Sequence, residues 1–454
     1  MTSPPSAPDA PSLLPRSAPR AFHVMAKPSG ATCNLDCDYC FFLSKEALYP
    51  GSRSRMAADL QEQYLRQLMA AHAGVPEVIV AWQGGEPTLM GLDFFRRSVE
   101  LLAQITPPGQ TVLNTIQTNG TLLTDEWGAF LREHGFLVGI SIDGPRDIHD
   151  RYRVDKGGKP TFDRVMRGLD VLRRKQVDYN ILTTVHAANE TRGREVYRFL
   201  RDECGGRFLQ FIPIVERATP AMLETANAGW GRRGALRPLY VLDGSLVTDR
   251  TVSPAGYGRF HVDVFEEWVR RDIGEVYVQM FDTALANWVG EPGSMCVHAE
   301  TCGAQLALEH NGDLYSCDHF VEPRFRLGNI AELPMLDLVT SEQQRRFGRA
   351  KRDTLPAYCR TCEVRFACHG GCPKDRFAMT PDGEPGLHYL CPSYKLFFGH
   401  VRPVMERMRD LLAAGRAPSQ VVAETRAADA RRGRNDPCPC ASGRKWKACH
   451  GTTA

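Results

Sequence analysis

This chain of 454 residues lacks the features that would place it in a membrane, on nucleic acid or outside the cell. No run of about 18 or more apolar residues occurs, which excludes a helical membrane span. Neither sign of charge dominates: 56 Lys and Arg against 53 Asp and Glu leave a formal charge of +3. That is too little to make nucleic acid or an anionic lipid surface the main partner. Residues 1–20 are rich in Pro, Ser and Ala and have no continuous apolar core, so they read as a disordered tail and not as an export signal. The expected compartment is therefore the cytoplasm, where disulfides are rare.

Cysteine is what the sequence has in excess. Its 15 cysteines fall unevenly. Cys33, Cys37 and Cys40 sit together, and Cys204 stands alone as an ordinary buried thiol. Cys296, Cys302, Cys317, Cys359, Cys362, Cys368, Cys372 and Cys391 follow within about a hundred residues, and Cys438, Cys440 and Cys449 close the chain. Dense cysteine in a long cytosolic chain points to metal.

Short runs rich in Val, Ile and Phe at residues 22–26, 78–82, 112–117, 136–142, 179–185 and 208–212 read as buried parallel strands. Amphipathic helices are predicted between them, one carrying Leu60, Tyr64 and Leu68 and another spanning 161–175. The fold class is α/β, a partial (β/α)6 parallel barrel in which functional residues sit after the C-terminal ends of strands. The expected division is a tail (1–20), the barrel (21–240), a helical bridge (241–290), an iron–sulfur extension domain (291–400), a helix and basic linker (401–433) and a small terminal zinc motif (434–454). In the bridge, Phe265 and Trp268 are core candidates.

Directly after the first strand comes Cys33-Asn-Leu-Asp-Cys37-Asp-Tyr-Cys40. Three thiolates on one tight loop hold three irons of a [4Fe–4S] cluster and leave the fourth without a protein ligand, whereas structural zinc wants four protein ligands. Gln83-Gly-Gly-Glu-Pro87 follows the second strand, and Ser141-Ile-Asp143-Gly-Pro145 the fourth. These segments resemble the radical SAM superfamily. The resemblance implies that S-adenosylmethionine meets Tyr39, Gly85, Ser141, Arg153 and Val215, with Arg153 on its carboxylate.

Eight later cysteines suit two fully ligated [4Fe–4S] clusters, with two zinc sites as the alternative. Their pattern resembles the SPASM extension. That resemblance implies a crossed arrangement, with Cys296, Cys302, Cys317 and Cys372 on the nearer cluster and Cys359, Cys362, Cys368 and Cys391 on the farther, hence three clusters in all. Together with Gln117-Thr-Asn-Gly120 and residues 208–212, the chain over about residues 22–400 is similar to the anaerobic sulfatase-maturating enzymes.

That family resemblance implies oxidation of a Cys or Ser in an unfolded sulfatase segment (Cys/Ser-x-Pro-x-Arg) to formylglycine. Asp318, directly after Cys317, would be the catalytic base, Gln83 and Gln117 would contact substrate, and a flavodoxin or ferredoxin would supply electrons. One departure stands out: the family tyrosine after Cys-Phe is Phe42 here. A SPASM enzyme that cross-links a precursor peptide is the alternative, though only about twenty residues precede the first strand, fewer than the peptide-recognition domain such enzymes often carry. A non-catalytic metal scaffold is disfavoured by the intact Gln-Gly-Gly-Glu-Pro and Ser-Ile-Asp-Gly segments. At the end of the chain, Cys438, Cys440, Cys449 and His450 form a Cys3His set suited to zinc and resemble the SEC-C motif.

Overall fold

The computed structural model describes residues 21–452 except 53, 231–238 and 441. The expected disordered tail at residues 1–20 lies outside the described residues. The six predicted strands form as β1 (His23–Lys27), β2 (Glu77–Trp82), β3 (Thr111–Thr118), β4 (Leu137–Ser141), β5 (Tyr179–Val185) and β6 (Phe208–Pro213). They lie side by side in chain order, and every neighbouring pair is parallel. Helices fill the crossovers. In Phe162–Arg174, Val165, Leu169 and Leu172 recur on one face and are buried, which is why this polar sequence packs as a helix.

The sheet does not stop at six strands. Gln305–Glu309 pairs parallel to β1, and two antiparallel strands, Asp313–Tyr315 and Arg326–Asn329, continue from it. At the far edge Tyr277–Val278 adds to β6. The extension region is thus built onto the barrel sheet itself. Its first hairpin runs from Gln305 towards Cys317, and the register brings Glu309 level with Lys27 at the end of β1.

Gly256–Trp268 packs against the long helix Cys391–Ala413, where a Cβ on Gly258 would meet the Ser393 carbonyl oxygen at 2.4 Å. Phe265 and Trp268 are buried core, as expected. The stretch expected as a linker after residue 413 differs: Gln420–Ala430 is helical, buries Val421 and ties Asp429 to Arg270 at 2.7 Å. Its Ala and Arg content, which reads as linker, is also high in helix propensity.

Candidate active site

The loop after β1 carries Cys33, Cys37 and Cys40, and two neighbouring loops hold it in place. The backbone N–H of Gly85 donates to Gly30 and that of Glu86 to Thr32, at 2.8 and 2.9 Å. A Cβ on Gly85 would stand 2.0 Å from the Thr32 carbonyl oxygen. Only glycine fits there, and what it lets in is the cysteine loop itself. The buried Glu86 carboxylate accepts from Thr88 N and Oγ1, Thr118 Oγ1 and Asn119 N, which joins the loops after β2 and β3. Asn119 then donates to Asn34 inside the cysteine loop at 2.8 Å.

The three thiols lie close enough to perturb one another's ionisation. Burial, then Glu86, pushes Cys33 up to about 12, and Cys37 is raised well above an ordinary thiol by burial and by Cys40 and Cys33. Such thiols ionise only when a soft cation offsets the cost.

Tyr39 and Arg153 belong to one buried network with Asp143. The Tyr39 hydroxyl donates to Asp143 Oδ2 at 2.7 Å, and Arg153 grips both carboxylate oxygens through Nε (2.9 Å) and Nη2 (3.1 Å). Burial opposes charge on Asp143, yet Arg153 holds its carboxyl well below the usual range. Arg153 is thus committed to Asp143 along one edge. Ser141, at the end of β4, accepts from Gln117 Nε2 at 3.1 Å. Val215 lies just past β6 and lines a cavity of about 70 Å3 with Tyr39, Phe41, Tyr240, His319 and Lys374. A wider cleft of about 1020 Å3 on the outer face, with Arg146, Arg192, Arg259 and Arg444 in its walls, has none of the barrel or extension candidates among its lining residues.

Asp318 is brought onto the barrel mouth from the extension. It forms an ion pair with Lys27, whose ammonium also donates to Gln83 Oε1 at 3.1 Å and lies 4.5 Å from the centre of the Phe42 ring. Burial would raise the Asp318 carboxyl, but Lys27 and His319 outweigh it and keep the carboxyl below its ordinary value. The group is therefore ionised, the form that accepts a proton. Asp318, Gln83 and Phe42 meet on one side chain. Gln117 lies apart from them, on Ser141.

The eight later cysteines separate into two electrostatic neighbourhoods. Cys317 is raised by burial and by Cys372 and Cys296; Cys302 by burial and Cys296, to about 11; and Cys372 by burial and also by Cys302, to about 12. In the other group Cys368 is raised to about 12 by burial and by Cys391, Cys359 and Cys362. Two buried cations serve these loops. Lys351 donates to the carbonyls of Cys296, Val297 and Ala299, and Arg376 to those of His369, Gly370 and Gly371, which lie between Cys368 and Cys372.

At the chain end, the ligand atoms of Cys438, Cys440, Cys449 and His450 all lie within 4.8 Å of one another. This motif is docked: Arg194 Nη2 approaches His450 Nε2 at 2.6 Å, and Trp446 sits between the guanidiniums of Arg270 and Arg432, each 5.4 Å from its ring. Cys204 is a fully buried lone thiol.

Sequence reading missed Lys27, Glu86, Asp143 and Lys351. Lys27 did leave a signal: a lysine ending a buried strand is almost never fully buried unless it is paired.

Family models match three parts of the chain: the radical SAM superfamily at residues 28–200, an iron–sulfur cluster-binding SPASM domain at 296–363 and the SEC-C motif at 434–452. Fold and site together define a radical SAM enzyme with an iron–sulfur extension, a class that uses [4Fe–4S] clusters and S-adenosylmethionine. The chain is 41% identical to the serine-type anaerobic sulfatase-maturating enzyme of Bacteroides thetaiotaomicron, covering 89% of this chain and 95% of that one. To the cysteine-type enzyme of Clostridium perfringens (strain 13 / Type A) it is 31% identical, over 84% and 96%. The solved structure of native anSMEcpe with bound AdoMet superposes with a TM-score of 0.74 at 29% identity, covering 86% of this chain and 99% of that one. The chain belongs to the anaerobic sulfatase-maturating enzymes.

Proposed function

We propose that this enzyme oxidises a Cys or Ser side chain in an unfolded sulfatase segment of the type Cys/Ser-x-Pro-x-Arg to formylglycine. The observation that carries the reading is the meeting of Asp318, from the extension, with Lys27 and Gln83 at the C-terminal ends of β1 and β2. When bound, S-adenosylmethionine and the first cluster supply a carbon radical that abstracts hydrogen, and the auxiliary clusters supply an electron acceptor. The protein's part is to hold, aim and deprotonate. Cys33, Cys37 and Cys40 hold the first cluster. Tyr39, Gly85, Ser141, Arg153 and Val215 hold S-adenosylmethionine, the Arg153–Asp143 pair giving that wall a fixed charge pattern.

Asp318 takes the thiol or hydroxyl proton of the target residue, a role its ionised state suits. Gln83 and Gln117 contact substrate. Cys296, Cys302, Cys317 and Cys372 hold the nearer auxiliary cluster and Cys359, Cys362, Cys368 and Cys391 the farther, a division supported by the two electrostatic groups. Cys438, Cys440, Cys449 and His450 hold one zinc, supported by their close grouping. A cytoplasmic flavodoxin or ferredoxin is the electron donor.

The test is mass spectrometry of Cys-x-Pro-x-Arg and Ser-x-Pro-x-Arg peptides incubated anaerobically with reconstituted enzyme. Side-chain oxidation removes about 18 Da from Cys or about 2 Da from Ser. Steady 5′-deoxyadenosine formation with no mass change on either peptide would overturn the reading.

A further inference from the structure

Three residues singled out for separate reasons, Asp318, Gln83 and Phe42, converge on the Lys27 ammonium. The Lys27 side chain is 3% exposed and stands at the last position of β1, so its stem is fixed by the sheet. An ammonium offers three donors. One goes to Asp318, one to Gln83, and the charge rests over the Phe42 face, an arrangement that leaves the head group little freedom. Asp318 comes from 291 residues further along the chain and Gln83 from the next strand. No other described side chain has a hydrogen bond to both.

We propose that Lys27 is a positioning residue for the oxidation: it sets the distance between the base Asp318 and the amide of Gln83, so that the β-thiol or β-hydroxyl of a target residue meets both from one pose. This rests on the reading of Asp318 as the base. A purely structural Lys27, a rivet between barrel and extension, would support folding without affecting the yield of product per radical event.

The experiment compares the reconstituted holoenzyme with Lys27→Met, Asp318→Asn and the double variant on the same Cys and Ser peptides. It measures iron content, peptide KM and kcat, and formylglycine formed per 5′-deoxyadenosine. A small misplacement of reacting groups costs about tenfold to a hundredfold. Lys27→Met is therefore expected to lower the ratio by at least about tenfold, with kcat falling more than KM rises. Because it acts through Asp318, it should add nothing to the loss in Asp318→Asn. A wild-type ratio in iron-replete Lys27→Met, or losses that multiply in the double variant, would overturn the inference. If Lys27→Met does not retain iron, Lys27→Gln takes its place, a lowered ratio supporting the inference and a wild-type ratio overturning it. A wild-type ratio in Asp318→Asn would instead overturn the assignment of the base.

Discussion

The chain treats its cysteines in two ways. In the terminal motif, three thiols and an imidazole have closed to within 4.8 Å of one another. Among the described residues no other group of three or more Cys, His, Asp or Glu is that tight. A single zinc with bonds of about 2.3 Å draws its sulfurs to within about 4 Å of each other. The barrel loop and the two extension groups perturb one another's ionisation yet stand farther apart, as thiols around a larger inorganic body must. Spatial spread separates cluster chemistry from single-ion chemistry where cysteine counts alone did not.

The comparison is broken most severely at the first loop. Cys33→Ala is expected to abolish S-adenosylmethionine cleavage and to remove about four of some twelve irons per chain while the zinc stays near one. Cleavage at a wild-type rate in that variant would move the radical site elsewhere. A smaller effect is expected from the extension: Cys391→Ala should lose about four irons and most formylglycine, yet keep measurable 5′-deoxyadenosine formation. Iron content unchanged by this substitution would remove Cys391 from the ligand set.

Two glycines sharpen the contrast further. Gly85→Ala drives a methyl to 2.0 Å from the Thr32 carbonyl and should cost about 1–3 kcal/mol, seen as a lower melting temperature and weaker iron retention. At Gly443 nothing lies within 4 Å, but φ is +72°, so an alanine there should cost only the left-handed strain of about 1–2 kcal/mol and leave iron untouched. The smallest effect is expected from removing residues 434–454. The zinc is lost with the Arg194 and Trp446 contacts, Tm falls by about 2–4 °C, and cleavage stays within about twofold. Collapse of cleavage in a soluble, iron-replete truncation would make the motif part of the active site.

The central strands were legible because each is a run of Val, Ile and Phe closed by a breaking residue, and all six formed within two residues of expectation at either end. The sheet edges were not. Tyr277–Val278 is two residues long, and Gln305–Glu309 shows no helical crossover of its own; both exist because an open parallel edge stood ready to pair. Asp318 was found because it adjoins Cys317. Lys27 was passed over because its partners are 56 and 291 residues away, and only tertiary structure brings them together. The helix Gln420–Ala430 was hidden for a different reason: its polarity outweighed its propensity in the reading, and its single buried valine is a weak periodic signal.

The most direct test of the account is a single reaction of reconstituted Asp318→Asn with a Cys-x-Pro-x-Arg peptide in which 5′-deoxyadenosine and formylglycine are both counted. The substitution keeps the size of the side chain and removes the basic oxygen. The account predicts continued 5′-deoxyadenosine formation with formylglycine reduced by at least about a hundredfold, the scale of a lost general base. Formylglycine at a near wild-type rate, with the iron content intact, would contradict it.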